Sequence, residues 1–480
     1  QKVQRNKKMK YDYHIIVIGA GSGGLVVASG AASLGAKVAL IEAEKMGGDC
    51  LNAGCVPSKT FLKSAHIAKS IQEAQKYGLT ADLKEVNLAA VMGRVEKVIR
   101  EIAPHDSRER YEGLGVKVIF GAGELQDKHT VKIGDETITG KYIVIATGSE
   151  LAVPPIPGLD EVDYQTNRTI FHLKELPRHL MVLGSGPIGL ELGQGFRHLG
   201  SQVTIMNRSP GLFKKDDPEV GTLMEEQMKN DGVELLLGLT YHRVTQDKDG
   251  ISVEIEQEGK RRVITGDQLL VSTGRLPASK NLGLDRVGVR VDEKGYIITG
   301  KKLRTSVKNI YACGDVTGHY QFTHMAGYQA GIIIRNTIFK MGAKVDYSAV
   351  PWTTYTKPEV AHVGYTEPMA RKAGIYKSSL KVDLREIDRA KAEDDRVGFL
   401  KLNLGKKRRI IGATLVGEKA GEMIPAAVIA INRKLTAGIF MNMILAYPTV
   451  SEIFKAASLE TAKQSLRPWM KKVIQAVLLR

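Results

Sequence analysis

The 480-residue sequence is poor in several features, and each shortage excludes a class of protein. Three cysteines, Cys50, Cys55 and Cys313, are too few for a disulfide-rich secreted fold and favour a reducing compartment, so we expect a cytoplasmic protein. Aromatic residues make up only 6% of the chain, which argues against base stacking as a main activity. No segment offers about 18 uninterrupted apolar residues, so no transmembrane helix is expected. The length then indicates about three globular domains at ~150 residues each.

The net charge of +17 is concentrated at the two ends of the chain. Residues 1–10 and 461–480 carry ten basic residues and no acidic ones, whereas the other 450 residues have a net charge of +7. Because the body is only mildly basic, nucleic acid is not an expected partner. In residues 466–480 apolar side chains recur at helical spacing beside basic ones, which predicts a basic amphipathic helix. We expect this helix to dock on the protein body, with peripheral membrane contact as the alternative.

An internal repeat organises the first half of the chain. Residues 14–24 read HIIVIGAGSGG and residues 179–189 read HLMVLGSGPIG, at an offset of 165. The same offset aligns LGAKVALIEA at 34–43 with LGSQVTIMNR at 199–208. Each copy is an apolar strand, a G-x-G-x-x-G loop, a helix and a second strand. This order is the βαβ pattern of a dinucleotide-binding unit.

The glycines of each loop have distinct physical roles. In order along the chain they permit a tight turn, let a pyrophosphate approach the backbone and let the helix pack on the strand. They are Gly19, Gly21 and Gly24 in the first copy and Gly184, Gly186 and Gly189 in the second. The helix that follows directs its partial positive charge at the phosphates. A single loop of this kind can serve packing alone, but two copies in the same context favour two nucleotide sites.

The two copies differ where the second strand ends. Glu42 in the first copy can accept hydrogen bonds from a ribose diol, which suits FAD or NAD. Asn207 takes its place in the second copy and is followed by Arg208 and Lys214. Removing the acid and adding cations favours a coenzyme with a 2′-phosphate. The sequence therefore predicts NADPH at the second site, with NADH and a merely solvated basic loop as alternatives.

Further strands end in residues that suit a bound cofactor. The strands at 141–149 and 268–277 both end in Thr-Gly, and 310–316 places an Asp after an apolar strand and a Gly. That Asp is predicted to bond a cofactor hydroxyl, with an ordinary turn as the alternative. No residue is assigned to a metal site. The additional residues assigned to cofactor binding are Gly48, Gly123, Thr147, Gly148, Gly274, Arg275, Gly314 and Asp315.

A pair of cysteines lies in the segment GGDCLNAGCVPSK at 47–59. Cys50 and Cys55 are five residues apart and do not share one face of a regular helix, so joining them requires distorted backbone. Gly54 and Pro57 suit such an irregular helix start, and a helix N-terminus lowers the pKa of a thiol. The segment predicts a redox-active pair, with a structural disulfide as the alternative. Cys313 is expected to be a packed core thiol.

With these motifs in place, residues 11–465 resemble the FAD-dependent pyridine nucleotide-disulfide oxidoreductases of the glutathione reductase and dihydrolipoamide dehydrogenase type, with mercuric reductases among the similar members. The resemblance implies a homodimer that binds FAD and NADPH. It also implies that Cys55 is the flavin-proximal thiolate and Cys50 the outer thiol that meets the acceptor. Lys59 would lie by flavin N5 and Glu191 would pair with it, a surface acid being the alternative for Glu191.

One segment departs from the family pattern. Disulfide-reducing members carry a His-Pro-Thr segment with a Glu five residues after the His, and that His moves protons for the partner subunit. Here Tyr447 replaces the His, whereas Glu452 is present. A phenol of pKa ≈ 10 is a poor proton shuttle near pH 7, with His324 the first candidate to replace it. Mercuric reductases need no such His, but their second cysteine pair is also missing, because no Cys follows Cys313.

These inferences define an expected fold and function. We expect an α/β protein with two Rossmann-like domains and a C-terminal α+β interface domain. The boundaries are 1–160 and 281–345 for the FAD domain, 161–280 for the NAD(P)H domain and 346–480 for the interface domain. NADPH would reduce a metal ion, a disulfide or a quinone-like acceptor through FAD and the Cys50–Cys55 pair. The alternatives are a dihydrolipoamide dehydrogenase and a slow redox sensor or membrane-associated interaction protein.

Overall fold

The computed structural model describes residues 10–465, 469 and 473–478. Its strands, in chain order, are β1 (Tyr13–Ile18), β2 (Val38–Glu42), β3 (Val116–Phe120), β4 (Gly123–Leu125), β5 (Thr130–Ile133), β6 (Glu136–Ile145), β7 (Ser149–Leu151), β8 (His179–Leu183), β9 (Gln202–Asn207), β10 (Glu234–Leu237), β11 (Thr240–Asp247), β12 (Gly250–Gln257), β13 (Lys260–Gly266), β14 (Gln268–Val271), β15 (Arg275–Pro277), β16 (Ile310–Ala312), β17 (Pro351–Thr354), β18 (Glu359–Gly364), β19 (Ser378–Asp383), β20 (Phe399–Leu404) and β21 (Ile410–Gly417).

The α-helices cover the faces of these sheets. In chain order they are α1 (Ser22–Ser33), α2 (Gly48–Asn52), α3 (Cys55–Gln72), α4 (Leu88–Ile102), α5 (Arg108–Gly113), α6 (Pro187–Leu199), α7 (Pro218–Asn230), α8 (Leu284–Val287), α9 (Thr323–Thr337), α10 (Glu367–Lys372), α11 (Asp388–Ala392), α12 (Ala420–Met423), α13 (Pro425–Asn432) and α14 (Glu452–Ser465).

The first sheet has the order β3-β2-β1-β6-β5-β4, and β16 also pairs with β6. Strands β1, β2, β3 and β16 run parallel to their neighbours, and Ile15, Ile16 and Val17 in β1 are fully buried. Continuous apolar runs of this kind are required where helices cover both faces of a parallel sheet. The carboxyl ends of β1, β2 and β6 therefore converge at one edge, where α/β proteins bind nucleotides.

The second repeat builds a sheet of the same design. Its order is β10-β9-β8-β14 with parallel pairing throughout, and the antiparallel strands β11, β12 and β13 form a separate sheet of their own. The helix α6 follows β8 in the same way that α1 follows β1. A short antiparallel pair, β7 with β15, links the first repeat to the second. The two predicted βαβ units are therefore both present.

The third unit is an antiparallel sheet in the order β17-β18-β21-β20-β19. A buried ion cluster joins it to the second unit, because Lys401 of β20 is almost completely buried. Its Nζ lies 2.9 Å from Glu219 and 2.8 Å from Glu367. The α/β class with a C-terminal α+β portion, predicted from the sequence, is confirmed by this arrangement.

Two terminal predictions fall largely outside the described residues. Of the basic N-terminal stretch at 1–10 only residue 10 is described, and most of the predicted amphipathic helix at 466–480 is likewise not covered. Within the covered part, Ile474–Leu478 forms a short π-helix. Among the described residues, no helix combines the length and the apolar character that crossing a membrane requires.

Candidate active site

The first turn of each glycine-rich loop admits only glycine. Gly19 has φ +103° and Gly184 has φ +101°, both in the region that disfavours other residues. A Cβ atom at Gly19 would overlap the carbonyl oxygen of Ala146, and one at Gly184 would lie 2.6 Å from that of Ser272. The turns therefore press against the ends of β6 and β14. This contact fixes each loop at the carboxyl edge of its sheet.

The remaining loop glycines have two different roles, because some allow the helix to pack closely and one leaves the backbone open to a ligand. A Cβ at Gly24 or Gly189 would overlap the turn carbonyl of its own loop, so both positions serve the close contact of helix and turn. Nothing lies within 4 Å of a Cβ built at Gly186. The backbone there is open, as the approach of a pyrophosphate requires.

The first loop differs because the cysteine segment covers it. Gly48 has φ +58°, and a Cβ there would lie 2.7 Å from the Cα of Gly21. The start of α2 therefore rests directly against the loop that follows β1. A cofactor bound at the first loop would be enclosed by this segment, whereas the second loop has no such cover among the described residues.

The acid at the end of β2 is held in place by backbone donors. The carboxylate of Glu42 accepts hydrogen bonds from the N–H groups of Ala20 and Glu44, each at 2.7 Å. Each carboxylate oxygen retains a further lone pair for a ribose hydroxyl. At the matching position Asn207 donates to the Ser185 hydroxyl at 2.5 Å. The second loop therefore lacks the fixed negative charge of the first.

The predicted cations beside the second loop have no carboxylate partner among the residues that the structure describes. Arg208 lies over the ring of Tyr241 with its guanidinium carbon 5.5 Å from the centroid, and burial raises the pKa of that phenol. Within the described part of the chain, neither Arg208 nor Lys214 forms an ion pair within 4 Å. Both are thus available to an anionic ligand.

The other predicted cofactor residues fall into two groups. Gly148, Gly274 and Gly314 all have positive φ, which lets the backbone turn sharply after β6, β14 and β16. Thr147 donates to the carbonyl of Ala278 at 2.6 Å. Gly123 instead packs behind the first loop, where a Cβ would lie 3.3 Å from Ile18. It borders the strand ends rather than lining the loop.

Arg275 and Asp315 meet through a serine. The Ser149 hydroxyl donates to Asp315 at 2.5 Å, and the Arg275 guanidinium donates to the Ser149 carbonyl at 2.7 Å. Burial raises the pKa of Asp315. Arg275 also pairs with Asp49, the residue before the first cysteine, and Arg168 lies 3.4 Å from the same carboxylate. The Asp49 carboxylate is therefore neutralised by two arginines that are more than 100 residues away along the chain.

The two reactive cysteines lie on either side of a helix break. Helix α2 contains Cys50, and α3 begins at Cys55. Between them Gly54 adopts φ −126° and ψ −113°, and a Cβ there would lie 2.8 Å from the Asp49 carbonyl oxygen. This irregular start is the distortion that the five-residue spacing predicted, and it brings the two thiols together.

The thiols polarise each other. A hydrogen bond from Cys50 lowers the pKa of Cys55, and the same bond raises the pKa of Cys50. The Thr323 hydroxyl lies 3.6 Å from the Cys55 sulfur, and Lys59 adds a favourable charge. Cys55 is thus the thiol of the pair that ionises first.

An ion pair with a buried carboxylate lies one turn further along α3. The Lys59 ammonium is 2.8 Å from Glu191 of α6, and Glu191 is 4% exposed. The backbone N–H of Tyr355 donates to the other carboxylate oxygen at 2.9 Å, and Lys59 lies 4.4 Å from the Tyr355 ring centroid. The pairing implied by the family resemblance is therefore present, and the surface alternative for Glu191 is wrong.

The C-terminal residues of the predicted site lie apart from the thiols within one protomer. Tyr447 is 71% exposed, and its hydroxyl donates to Asp388 at 3.3 Å. The Glu452 carboxylate accepts a hydrogen bond from the Thr449 N–H at 3.4 Å. The charge of Asp388 raises the pKa of Tyr447 above its ordinary value.

Within one protomer the recorded contacts of His324 do not include the thiols. Its ring stacks on Phe322 and its Nε2 lies 2.9 Å from the Pro351 carbonyl, while the adjacent Thr323 contacts Cys55. Cys313 is buried as expected, which raises its pKa to about 12. Among the described residues no cluster of three or more His, Cys, Asp or Glu side chains is arranged to hold a metal ion.

Sequence reasoning missed several contacts at this site. Thr323 lies in a segment that drew attention only for its His, and its position at the start of α9 was the available signal. Asp49 and Arg168 carried no motif, although an acid beside a reactive cysteine calls for a nearby cation. Tyr355 gave no signal, because its backbone rather than its side chain contacts Glu191.

Comparisons with known proteins agree with this geometry. Residues 13–330 match the family described as pyridine nucleotide-disulphide oxidoreductase, and residues 350–458 match the dimerisation domain of the same family. The chain is 38% identical over 458 residues to a mercuric reductase of Bacillus cereus, covering 95% of this chain and 73% of that protein. It is 34% identical over 461 residues to a dihydrolipoyl dehydrogenase of Chlamydia muridarum, covering 94% and 97%.

Solved structures show the same fold. The HOCl-induced flavoprotein disulfide reductase RclA of Escherichia coli aligns with a TM-score of 0.82 and 28% identity, covering 92% of this chain and 99% of that one. A Cu(II) complex of RclA aligns equally well, with a TM-score of 0.82 over 92% of this chain and 98% of that one.

Proposed function

The chain belongs to the pyridine nucleotide-disulphide oxidoreductase family, and from this premise we propose that it transfers electrons from NADPH to a thiophilic metal ion. At the level of the family, it is a flavoprotein disulfide oxidoreductase whose members bind FAD and a pyridine nucleotide. The coenzyme, the acceptor and the roles of the individual residues are the proposal. A homodimer in the cytoplasm completes it, supported by the dimerisation domain and by the low cysteine content.

One observation carries the proposal, namely the polarised pair of Cys50 and Cys55 with the Lys59–Glu191 ion pair near it. A thiolate is the form that binds soft metal ions and the form that attacks a disulfide. Cys55 is exposed at the N-terminus of α3, so a ligand can reach it. The arrangement therefore combines a reactive thiolate, a second thiol and a fixed positive charge.

The residues at the first loop fit FAD. The backbone approach at Gly21 would hold the pyrophosphate and Glu42 the ribose hydroxyls, while Asp315 and Thr147 lie where strands β16 and β6 end. When bound, FAD supplies two-electron transfer between a nicotinamide and the thiol pair. The chain's own contribution is to enclose the cofactor beneath the segment that begins at Gly48.

The Lys59–Glu191 pair places a positive charge near the thiols, with the Lys59 side chain 36% exposed and its carboxylate partner buried. Glu191 accepts from both Lys59 and the Tyr355 backbone, so its carboxylate is fully engaged although it is buried. The ammonium is thereby held at a fixed place beside α3, where it stabilises negative charge on Cys55. Thr323 adds a polar contact to the same sulfur.

The second loop fits NADPH better than NADH. Gly186 leaves the backbone open, Asn207 removes the acid, and Arg208 and Lys214 have no described carboxylate partner. A 2′-phosphate would give these cations the negative partner they lack. NADH offers no such group, so the same residues would add nothing to its binding.

The proposed class of electron acceptor follows from the tyrosine at position 447. Reduction of an organic disulfide needs a proton shuttle at the thiols, and Tyr447 is a phenol whose pKa is raised further by Asp388. Reduction of a metal ion needs thiolate ligands instead, which Cys50 and Cys55 provide. For Hg(II) the net reaction is NADPH plus Hg²⁺ giving NADP⁺, H⁺ and Hg⁰; for Cu(II) it is NADPH plus two Cu²⁺ giving NADP⁺, H⁺ and two Cu⁺. In both cases two electrons leave the coenzyme and both reach the metal. The mercuric reductases among the relatives, and the Cu(II) complex of RclA, support this class of acceptor.

The test is an acceptor panel with purified, flavin-loaded protein. Hg(II), Cu(II), lipoamide and a small quinone would be compared at equal NADPH, with Cys55→Ser as the variant that removes the thiolate. We expect the metal ions to be reduced faster than lipoamide and the variant to lose that activity. Lipoamide turnover above the metal rate would overturn the proposal and identify a dihydrolipoyl dehydrogenase.

A second candidate is favoured by the 34% identity to a dihydrolipoyl dehydrogenase. Tyr447→His separates the two, because an imidazole would restore a group of pKa near 6.5. If Tyr447 faces the partner's thiols, the variant should gain in lipoamide rate relative to metal rate, and acid–base help contributes ~10²–10⁴-fold. A wild type already fast with lipoamide, and unchanged by the variant, would favour the second candidate.

A further inference from the structure

The segment that carries the predicted phosphate cations is held at its far end by the antiparallel unit. We name residues 208–217 the coenzyme loop; it connects β9 to α7 and includes Arg208 and Lys214. At its beginning the loop continues a largely buried strand, because β9 ends at Asn207. At its other end Asp217 is completely buried, although its side chain is acidic. The contacts at this end therefore help to determine where the two cations are placed.

Asp217 is fixed by three elements of the antiparallel unit. Its carboxylate accepts the backbone N–H of Glu367 at the start of α10 and the hydroxyl of Thr414 in β21, at 2.8 and 2.7 Å. The ammonium of Lys401 in β20 lies 3.5 Å from the same carboxylate. A buried acid with these partners cannot shift without leaving buried polar groups unpaired. The last residue of the coenzyme loop is therefore firmly anchored.

A second bond holds the preceding residue. The indole N–H of Trp352 in β17 donates to the Asp216 carboxylate at 2.9 Å. Burial raises the pKa of Asp216 to about 6, so above that pH the bond joins an N–H donor to a carboxylate. The Trp352 ring packs against His362 of β18, with 4.3 Å between the ring centroids. The neighbouring strand thus fixes the indole, and the indole fixes Asp216.

The placement of Lys214 depends on this bond, because Asp216 closes the turn that contains the lysine. The backbone N–H of Asp216 donates to the carbonyl of Phe213 at 2.9 Å. Phe213 has φ +49°, a conformation that persists only where the surroundings enforce it. The lysine side chain folds back toward the start of the loop, since a Cβ built at Gly211 would lie 3.0 Å from its nitrogen. Holding Asp216 therefore holds the turn from which Lys214 projects.

We propose that Trp352 is a positioning residue for coenzyme recognition, because its bond to Asp216 fixes the turn from which Lys214 meets the 2′-phosphate. This inference rests on the proposed use of NADPH. It assigns part of the choice between NADPH and NADH to the antiparallel unit, outside the βαβ repeat that carries the glycine-rich loop. Each bond involved joins two residues of the same chain, so the inference does not depend on the exposure of any surface.

The alternative is that the bond of Trp352 only stabilises the fold. NADPH and NADH differ in the 2′-phosphate alone, so a bond that merely stabilises the fold should affect both coenzymes equally. A bond that positions Lys214 should affect NADPH and leave NADH unchanged, because only NADPH offers the lysine an anionic partner. The two explanations therefore differ in a ratio that can be measured.

The experiment is steady-state kinetics of the full-length, flavin-loaded protein with each coenzyme. Ferricyanide serves as an artificial acceptor, so that the result is independent of the proposed metal acceptor. Trp352→Phe removes the N–H donor and keeps an aromatic ring, and Asp216→Ala removes the same bond from the other side. Asp216→Asn removes the charge but keeps an oxygen that can accept the bond. The matched control is Tyr376→Phe, which removes a hydroxyl that donates to Ser379 at 3.3 Å in the same unit.

We expect Trp352→Phe and Asp216→Ala to raise the KM for NADPH by roughly 3–10-fold, a part of what losing a whole charge-assisted contact would cause. The kcat with either coenzyme and the KM for NADH should stay unchanged. Asp216→Asn and Tyr376→Phe should remain close to wild type. As inhibitors, 2′,5′-ADP should weaken by the same factor as NADPH, whereas 5′-AMP should not weaken.

Equal losses for both coenzymes in Trp352→Phe, or a matching loss in Tyr376→Phe, would overturn the inference by giving the bond a structural role. An unchanged KM for NADPH in Trp352→Phe would also overturn it, and the proposed coenzyme would stand if removing Arg208 and Lys214 still raises that KM. If their removal changes nothing, the proposed use of NADPH itself fails. Should Trp352→Phe yield no folded protein, Asp216→Ala measured against Asp216→Asn decides in the same way.

Discussion

The two glycine-rich loops share a sequence pattern and a backbone, yet they differ in what lies over them. Gly48 approaches Gly21 so closely that a Cβ there would lie 2.7 Å from its Cα, whereas the space beside Gly186 is open. The first loop is thus closed by the segment that carries the thiols, and the second faces outward. The same motif can therefore hold a resident cofactor in one place and an exchanging coenzyme in another, because the segments packed around the loop determine whether the bound ligand is enclosed.

The ends of the second strands extend the contrast. The Glu42 carboxylate is fixed by two backbone N–H donors, while the side-chain amide of Asn207 bonds to the Ser185 hydroxyl. A fixed negative charge suits a ribose diol and repels a 2′-phosphate. The two copies therefore differ in the residue that ends the second strand, Glu42 or Asn207, and in whether a neighbouring segment covers the loop. Both differences can be tested by substitution.

The largest expected effect comes from the helix-packing glycines. Gly24→Ala should yield protein largely without flavin, whereas Gly189→Ala should keep its flavin and raise the KM for NADPH by up to about 100-fold. The reason is that each new Cβ meets the turn carbonyl of its own loop, and overpacking costs ~1–3 kcal/mol. The ratio of flavin to protein absorbance after gel filtration measures the first, and steady-state kinetics the second.

The control for this pair is Gly93→Ala, because a Cβ at that helical position meets nothing within 4 Å. That variant should retain both flavin and coenzyme affinity. A Gly24→Ala protein that keeps its full flavin content would show that the first loop does not hold the cofactor.

The next effect concerns coenzyme choice at the second loop. Removing Arg208 and Lys214 together should weaken NADPH at least ten-fold more than NADH, since each charge-assisted contact contributes roughly 1.5–3 kcal/mol. Asn207→Glu should act in the same direction by restoring repulsion. The measurement is the ratio of kcat/KM for the two coenzymes, with the exposed Arg243→Ala as control. A wild type that prefers NADH would contradict the assignment.

A smaller effect tests the thiol segment that closes the first loop. Because the hydrogen bond from Cys50 lowers the pKa of Cys55, the thiolate should exist at pH values below the ordinary thiol range and be lost as pH falls through that lowered pKa. Cys50→Ala should move the midpoint of thiolate absorbance upward by ~1–2 pH units, the equivalent of one charged hydrogen bond. Cys313→Ala should leave the midpoint in place, and an unmoved midpoint in Cys50→Ala would refute the polarised pair.

The smallest effect is expected at Thr323. Its hydroxyl is 3.6 Å from the Cys55 sulfur and lowers the pKa of that thiol less than the hydrogen bond from Cys50 does. Thr323→Val should therefore raise the same midpoint by less than ~1 pH unit. His324→Ala is the matched control, because its imidazole bonds the Pro351 carbonyl instead. Equal shifts in both variants would assign the effect to the helix start rather than to the hydroxyl.

Much of the site could be predicted because it depends on local spacing. The turn at Gly19 and the break at Gly54 follow from short-range sterics, which a sequence records directly. The pair of Lys59 and Glu191 was predicted through the family resemblance, although 132 residues separate them. Contacts made by backbone atoms, such as that of Tyr355 with Glu191, leave no trace in residue type and were not predicted.

The sequence by itself therefore determined the two βαβ units, the placement of the thiol pair at a helix start and the difference between Glu42 and Asn207. Only the tertiary structure decided that the thiol segment covers the first loop, that Asp49 is neutralised by Arg275, and that Thr323 rather than His324 meets the sulfur. The physical reason is the separation along the chain over which each interaction acts. Backbone sterics and hydrophobic periodicity act over a few residues, whereas these contacts join segments more than 200 positions apart or loops brought together by strand order.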